Sequence, residues 1–199
     1  MEKLIITAAI CGAEVTKKHN PAVPYTVEEM VREAKSAFEA GRGGHPRPCP
    51  RGRRHPPPRT VSGSAWCWTP SRRPRPGVIL IPSTGGAVGM TAEERLQPTE
   101  LFPEMATLDC GTCNFGDDVF TNDMPTMRAF GKRMMENHIK PEYECFEIGH
   151  LDTVVNMANK GEVPGAPMQF NFVLGVSGCT PATVGNLDYL VKQIPAGST

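Results

Sequence analysis

The sequence lacks the long apolar runs and the glycine-rich loops that mark several large classes of protein. Its 199 residues contain no stretch close to the roughly 18 apolar residues that a membrane helix needs, so we expect no membrane-spanning segment. The turn at residues 11–14 (CGAE) lacks the glycine pattern of dinucleotide-binding sheets, and no GxxxxGK(S/T) loop occurs. These absences disfavour a membrane protein, a Rossmann-type oxidoreductase and a P-loop nucleotide hydrolase.

Acidic residues are missing from one segment, and the cysteine count is not even. Residues 42–76 contain nine of the 21 Lys and Arg residues and no Asp or Glu, which leaves 12 basic against 21 acidic residues elsewhere. The rest of the chain is thus acidic and has no basic footprint for nucleic acid. Seven cysteines are an odd number, and residues 1–10 do not resemble a secretory signal, so we expect a reducing, cytoplasmic environment.

Short apolar runs alternate with amphipathic stretches along the chain. Strands are predicted at residues 3–10, 78–81, 105–108, 143–146 and 168–174. Helices are predicted at 26–41, from 91, from 123, at 151–160 and at 182–193, with capping boxes at the first two starts. Counting one interrupted unit, six βα units imply a parallel α/β sheet with right-handed crossovers. A barrel and an open doubly wound sheet are both compatible with this alternation.

Residues 42–76 interrupt the alternation where a second strand is due. The segment holds nine Arg and nine Pro, and Pro46, Pro48 and Pro50 fall at alternate positions, where a central strand would donate hydrogen bonds. A real insertion would be a long irregular or disordered loop. As a second explanation we hypothesise a compensated frameshift, because reading these codons one base later permits Ala-Ala-Val-Ile-His-Val-His-Val-Arg directly after Gly41.

Five motifs in fixed order carry a family resemblance. They are ITAAICGAE at residues 6–14, PSTGGAVG at 82–89, PEMATLDCGTCNFG at 103–116, PEYE at 141–144 and VLGV at 173–176. Together they resemble the β-keto acid cleavage enzymes of the 3-keto-5-aminohexanoate type, over about residues 1–41 and 78–199. The resemblance implies one TIM (β/α)8 barrel domain over residues 1–199, incomplete at about six βα units with the second disrupted, whose site lies at the carboxyl ends of the strands.

The resemblance also implies a reaction. Such enzymes exchange acyl groups between a β-keto acid and acetyl-CoA, giving acetoacetate and a new CoA thioester, and a divalent metal, usually Zn²⁺, polarises the keto oxygen. In the family, two histidines of a His-x-His strand and a carboxylate late in the chain hold the metal, and the intact enzymes are expected to be homo-oligomers. Here the His-x-His strand is overwritten, and the later residues would lie beyond Thr199. We therefore assign no metal ligand and expect little or no turnover from this chain.

Residues that match the family motifs near predicted strand ends form the expected site. The resemblance implies catalytic roles for Glu14, Ser83 and Glu144, and substrate binding by Thr84, Gly85, Gly86, Thr107 and Asn114. Small residues at 83–86 suit a nest of backbone N–H groups for a carboxylate or oxyanion, and a carboxylate such as Glu144 is costly in an apolar strand without a task. The alternatives are a solvated loop residue for Glu14, an ordinary strand residue for Thr107 and a turn residue for Asn114.

The remaining cysteines, histidines and arginines carry weaker hypotheses. Cys110 and Cys113 have a CxxC spacing, but no second pair completes a zinc site, so we expect two loop cysteines. His45 and His55 lie in Pro/Arg-rich sequence and are not expected to bind metal, and His150 is expected at the surface. The alternative function is of a different class: a non-catalytic product whose Arg/Pro-rich arm binds RNA or another polyanion.

Overall fold

The computed structural model of the chain describes residues 6–13, 15–42 and 79–199. These residues fall into two compact units, divided between Val78 and Ile79. Glu14, His45, His55 and nearly all of the Arg/Pro-rich segment lie outside the described residues. What the sequence predicts for them stays a prediction.

The first unit is built around helix α1, Val27–Arg42. The helix begins where predicted, because Thr26 Oγ1 accepts a hydrogen bond from the Glu29 N–H (3.2 Å) and Glu29 Oε2 accepts one from the Thr26 N–H (3.0 Å). The strand predicted at residues 3–10 is wrong for its described part, since residues 6–10 are not in a strand and Ile6 is 80% exposed. A strand needs a hydrogen-bonded neighbour, and no described residue pairs with this stretch.

The second unit is a mixed α/β structure with a parallel sheet, as predicted. In chain order its elements are α2 (Ala92–Leu96), a 3₁₀ helix (Gln97–Leu101), β1 (Met105–Asp109), β2 (Cys113–Phe115), β3 (Asp118–Phe120), α3 (Met124–Glu136), β4 (Lys140–Cys145), α4 (Ile148–Asn159), β5 (Gln169–Phe172) and α5 (Val184–Gln193). Strands β1, β4 and β5 are parallel and lie in that order, and β2 pairs with β3 as an antiparallel hairpin. The described strands do not form a closed barrel.

Cap chemistry explains where the helices of this unit begin. A capping box joins Thr91 and Glu94 at the start of α2. At the start of α3, Asp123 Oδ1 accepts a hydrogen bond from the Thr126 N–H (2.9 Å), and Pro125 occupies the first turn. Both starts were predicted from the same residues.

Two parts of the strand prediction differ from the structure. Residues 79–81 of the strand predicted at 78–81 are not in a strand. The chain nevertheless runs beside β1 at Pro82, whose carbonyl accepts the Thr107 N–H (3.1 Å). Pro82 has no N–H with which to continue the ladder, which is one reason the pairing stops there. The β2–β3 hairpin was not predicted, because strands of three residues are too short to show an alternation.

The two faces of the sheet differ in character. One face is apolar and packs on the helices, and its strand residues Ala106, Leu108, Tyr143 and Cys145 share a buried cluster with side chains of α3, α4 and α5. The side chains that alternate with them point to the other face and, apart from Met105 at the start of β1, are polar. Helices therefore cover one face of the sheet, and the polar face is available for a site.

The chain returns to the open edge of β5 after helix α5. The Phe170 N–H donates to Thr199 O (2.7 Å), and the Thr199 N–H donates to Met168 O (3.0 Å). Across the unit the hydrogen-bonded order is thus Pro82, β1, β4, β5 and Thr199, which follows the order of the chain. None of the helices in the described ranges has the length and the apolar character needed to cross a membrane.

Candidate active site

Two rows of polar side chains cross the three parallel strands on the face away from the helices. Paired register positions of a parallel sheet point to the same side. The rows are Thr107, Glu142 and Gln169, and, nearer the carboxyl ends, Asp109, Glu144 and Asn171. In the second row, Asn171 Nδ2 donates a hydrogen bond to Glu144 Oε1 (3.1 Å). Two carboxyl groups are thus neighbours at the ends of β1 and β4.

The loop at residues 83–86 packs against the end of β1. Thr84 is fully buried: its Oγ1 donates to Thr107 O (2.7 Å), and its N–H donates to Thr107 Oγ1 (3.1 Å). The Gly85 N–H donates to Ser83 Oγ (3.1 Å). These bonds commit the N–H groups of Thr84 and Gly85 to side chains within the fold, so the predicted nest of N–H groups is wrong for these two residues. Gly86 has a positive φ of 65°, a conformation that favours glycine.

Gly85 is the point where this loop meets the second polar row. A Cβ at Gly85 would lie 3.2 Å from Asp109 Oδ2 and 3.3 Å from Ser83 Oγ. Both oxygens therefore lie within 3.3 Å of one point, and the Ser83 hydroxyl belongs to the same site as the carboxyl row. A cavity of about 320 Å³ opens beside the loop, lined by residues 87–91, Arg95 and residues 119–121.

Arg95 ties the loop, the sheet and the β2–β3 hairpin together. Its side chain is 3% exposed, and its Nη2 lies 3.5 Å from Asp109 Oδ2. Its N–H groups donate to three acceptors: Thr84 O (2.9 Å), Thr121 O (3.0 Å) and Asn122 Oδ1 (2.7 Å). The guanidinium carbon also lies 4.7 Å from the Phe120 ring centroid and 5.0 Å from that of Phe130, a cation–π geometry.

Burial controls the charge state of the two neighbouring carboxyls. Burial, together with the charges of Asp109 and Glu142, raises the pKa of Glu144 to about 8, and the hydrogen bond from Asn171 opposes the shift. Burial also raises the pKa of Asp109, against the lowering effect of Arg95. A hydrogen bond between the two side chains lowers the pKa of Asp109 and raises that of Glu144. Glu144 is therefore the carboxyl that keeps a proton near neutral pH.

The predicted site residues are brought together only in part. Ser83 and Glu144 lie at the same end of the sheet, on the loop after Pro82 and on β4. Thr107 and Thr84 are joined by hydrogen bonds to each other, which gives both a packing role. Asn114 is exposed on β2, and its carbonyl accepts the Cys179 thiol (3.0 Å), so its contacts are with that loop rather than with the polar rows.

Glu14 lies outside the described residues, so its predicted role is untested. Its neighbours Gly12 and Val15 line a cavity of about 640 Å³ within the first unit, against residues of α1 such as Glu33 and Ala37.

A metal centre cannot be assembled from the described residues. Within residues 6–13, 15–42 and 79–199, no group of three or more His, Cys, Asp and Glu side chains could hold a metal ion. The described side chains therefore do not by themselves fit the zinc site that the family resemblance implies. Cys110 and Cys113 are free thiols, and burial raises the pKa of both, which disfavours a reactive thiolate.

The prediction that His150 lies at the surface is wrong. His150 is 8% exposed, its Nδ1 accepts the Phe146 N–H (3.3 Å), and its Nε2 lies 3.4 Å from Thr112 O. The ring packs on Gly111, where a Cβ would come within 2.5 Å of Nε2. Gly111, in the loop after β1, therefore makes the space that buries this histidine, and burial lowers its pKa.

Carboxyl, amide and hydroxyl side chains gathered at the carboxyl ends of parallel strands define an α/β enzyme. A family model described as beta-keto acid cleavage enzyme matches residues 3–199. The chain belongs to the beta-keto acid cleavage enzyme family, as its five motifs predicted.

Similar proteins agree with this assignment. The chain is 51% identical to a 3-keto-5-aminohexanoate cleavage enzyme of Acetoanaerobium sticklandii and 52% identical to one of Fusobacterium nucleatum, covering 100% of the chain and 72% of each relative. It is 34% identical to a 3-oxoadipate:acetyl-CoA acetyltransferase of Cupriavidus necator, over 96% of the chain and 66% of that protein.

Sequence reasoning missed three residues that shape the site: Asp109, Asn171 and Arg95. Asp109 carries a signal that could have found it, because a carboxylate at the carboxyl end of the apolar run MATLD is placed where α/β enzymes keep functional groups. Asn171 lies inside the run MQFNFVL and has the same signal. Arg95 follows a capping box on a short helix, where an arginine is normally solvated, and nothing local indicates its burial.

Proposed function

We propose that the chain carries the acyl-exchange function of its family. It would bind a β-keto acid related to 3-keto-5-aminohexanoate, with acetyl-CoA as co-substrate, and the products would be acetoacetate and a new CoA thioester. Two relatives are named for cleavage of 3-keto-5-aminohexanoate, and a third for acetyl transfer between 3-oxoadipate and acetyl-CoA. The observation that carries the proposal is the joint position of Ser83, Asp109 and Glu144 at one end of the sheet.

The chain's own residues suggest how the acid is held. Ser83 Oγ already accepts a hydrogen bond from the Gly85 N–H, so its hydroxyl hydrogen can be donated to a substrate carboxylate or keto oxygen. Glu144 in its neutral form is a second donor toward the same space. Neighbouring parts of the fold hold both donors in place. Ser83 precedes the buried Thr84, and Glu144 lies on β4, which is paired with β1 and β5 on its two sides. Such preorganised donors favour an oxygen that gains negative charge during reaction.

We also propose that the second unit is part of a TIM barrel. A doubly wound sheet reverses its strand order at a switch point. Here the hydrogen-bonded order from Pro82 through β1, β4 and β5 to Thr199 follows the chain without reversal. Helices also pack on one face only, and the opposite face bears the polar rows, as expected for the inside and outside of a barrel.

The experiment combines binding and turnover in one preparation of the folded chain. Binding of 3-keto-5-aminohexanoate is measured by calorimetry, and thioester and acetoacetate formation from acetyl-CoA by mass spectrometry. Ser83→Ala is expected to weaken binding about tenfold or more, because a hydrogen bond to a charged group is worth about 1.5–3 kcal/mol. Ser177→Ala, an exposed serine in the same unit, is the matched control and should bind like the parent chain.

Two results bear directly on the proposal. Saturable binding that is kept in Ser177→Ala but weakened about tenfold or more in Ser83→Ala and in Glu144→Ala, which removes the second donor, supports it, with or without turnover, since low turnover of this chain is the sequence-based prediction. No binding of the β-keto acid and no thioester would overturn it. The RNA-binding alternative rests on residues 42–76, nearly all outside the described residues, and no described feature favours it.

A further inference from the structure

Asp109 belongs to the proposed site, but it is not one of the two donors proposed to hold the substrate. Its side chain is 3% exposed, and its Oδ2 has no hydrogen-bond partner although it lies 3.5 Å from Arg95 Nη2. Its register partner on β4 is Glu144. Asp109 is therefore a buried carboxylate whose neighbours are a cation, Arg95, and a second carboxyl group, Glu144.

The groups around the pair come from four elements. Arg95 of α2 faces Asp109, and Asn171 of β5 donates to Glu144 Oε1 (3.1 Å). Glu142 lies two residues earlier on β4, and Gln169 Nε2 donates to its Oε2 (3.0 Å). Cys110, directly after β1, is a fully buried free thiol. Among the residues that the structure describes, the row Asp109–Glu144 therefore has one fixed cation, Arg95, for two carboxyl groups.

One cation cannot neutralise two buried carboxylates, and an uncompensated charge in this setting is costly. One proton must therefore stay on the pair. Asp109 has the cation, so it is better placed to be the ionised member. Glu144 has the Asn171 amide and Asp109 as neighbours, and Arg95 is paired with Asp109, so Glu144 is better placed to carry the proton.

We propose that Asp109 is a positioning residue: paired with Arg95, its carboxylate accepts a hydrogen bond from protonated Glu144 and keeps that side chain neutral beside the loop at 83–86. The proposal deepens the proposed function, on which it rests for the identity of the ligand. A neutral Glu144 can approach the carboxylate of a β-keto acid without charge repulsion. It can also change partners from Asp109 to a substrate oxygen without losing its proton to solvent.

The first test titrates both carboxyls in the folded chain without any ligand. Carbon-13 carboxyl labels on Glu and Asp are followed by NMR from pH 4.5 to 9.5, and Glu144→Gln and Asp109→Asn assign the two signals. Glu144 is expected to titrate near pH 8, the value its surroundings set, while Asp109 is ionised at pH 7. A Glu144 midpoint below pH 5, or a proton that resides on Asp109 instead, would overturn the proposal. This measurement needs no variant to bind or to turn over substrate.

The second test asks whether Asp109 is the residue that keeps Glu144 protonated. In Asp109→Asn the negative charge of Asp109, which raises the pKa of Glu144, is removed, so the pKa of Glu144 should fall. Glu144 should then be ionised at pH 7.5, and the variant should bind the β-keto acid at least about tenfold more weakly than the parent at that pH. Binding should return at pH 5.5, where Glu144 regains its proton. A purely structural role of Asp109 would give weak binding at both pH values.

A control variant tests whether the change in Glu144 is specific to Asp109, and the combined results distinguish this inference from the proposed function. Asp118→Asn, on the exposed β3 strand, should leave the titration of Glu144 unchanged. If Asp109→Asn does not fold, the titration of the parent chain still decides which carboxyl holds the proton. A high Glu144 midpoint without β-keto acid binding would sink the proposed function and leave this inference standing. Binding of the β-keto acid together with a Glu144 titration midpoint below pH 5 would overturn this inference and leave the proposed function standing.

Discussion

Replacing Arg95 by Met tests the arrangement on which the whole site depends. Met keeps most of the apolar stem, but it removes the partner of Asp109 and the donors to Thr84 O and Asn122 Oδ1, both buried acceptors. Breaking a buried ion pair by removing one partner costs about 3–5 kcal/mol. The thioether recovers about 0.3–1.5 kcal/mol against the rings of Phe120 and Phe130, which now flank the guanidinium. The net loss of unfolding free energy is therefore expected to be about 2–4 kcal/mol.

The assay is urea unfolding followed by circular dichroism at 222 nm, at pH 7 and at pH 5. Without Arg95 the folded-state pKa of Asp109 rises further above its unfolded value, so the folded variant takes up a proton more readily than the unfolded chain. Stability of the variant is then lost as pH rises, and its deficit against the parent should be smaller at pH 5 than at pH 7. Arg128→Met, which breaks a half-exposed pair with Glu162 (3.0 Å), should cost less than about 1 kcal/mol. An Arg95→Met loss no larger than that of Arg128→Met, or one independent of pH, would refute the reasoning.

Three further predictions concern Glu144, two helix glycines and the gene segment that encodes residues 42–76. Because the pKa of Glu144 is raised to about 8, the folded chain holds one more proton than the unfolded chain between about pH 4.5 and 8. The free energy of unfolding should therefore fall as pH rises through this window, by up to about 1.4 kcal/mol per pH unit. Unfolding of Glu144→Gln measured across the same pH range should show a flatter slope. Gly131→Ala in α3 should destabilise by about 1–3 kcal/mol in urea unfolding, because its Cβ would lie 2.6 Å from Val163 Cγ1, whereas Gly149→Ala in α4 meets nothing within 4 Å and should stabilise by up to about 1 kcal/mol. Sequencing the gene should reveal a strand-like His-x-His reading in the frame one base later at residues 42–76, and its absence would dispose of the frameshift hypothesis.

Helix starts could be predicted from the sequence because their causes are local. The boxes at Thr26 and Thr91 and the cap at Asp123 use a side chain and a backbone N–H three residues apart. No distant part of the chain is needed to form these bonds. The same reasoning failed for residues 6–10 and 79–81, since a strand exists only when a neighbour supplies the other half of its hydrogen bonds.

The site could be predicted only where a motif names its residues. Ser83 and Glu144 came from motif resemblance, and the fold brings them to one end of the sheet. Arg95 could not be found, because its burial depends on a carbonyl 11 residues back, an amide 27 residues on and two aromatic rings. His150 was misplaced for a similar reason, since the glycine that makes room for its ring lies in a different loop. Burial of a polar side chain is decided by tertiary contacts that a single sequence does not display.

The close approach at Gly85 sets a rule for anyone who wishes to redirect this enzyme to new substrates. Any side chain there would press on both Asp109 Oδ2 and Ser83 Oγ, so a mutant library that randomises this position would disturb the chemistry before it altered selectivity. Diversity belongs instead at positions that border the neighbouring cavity from the far side, such as Ala87 and Val119. The loop thus divides into a part that laboratory evolution should leave alone and a part that it can rewrite.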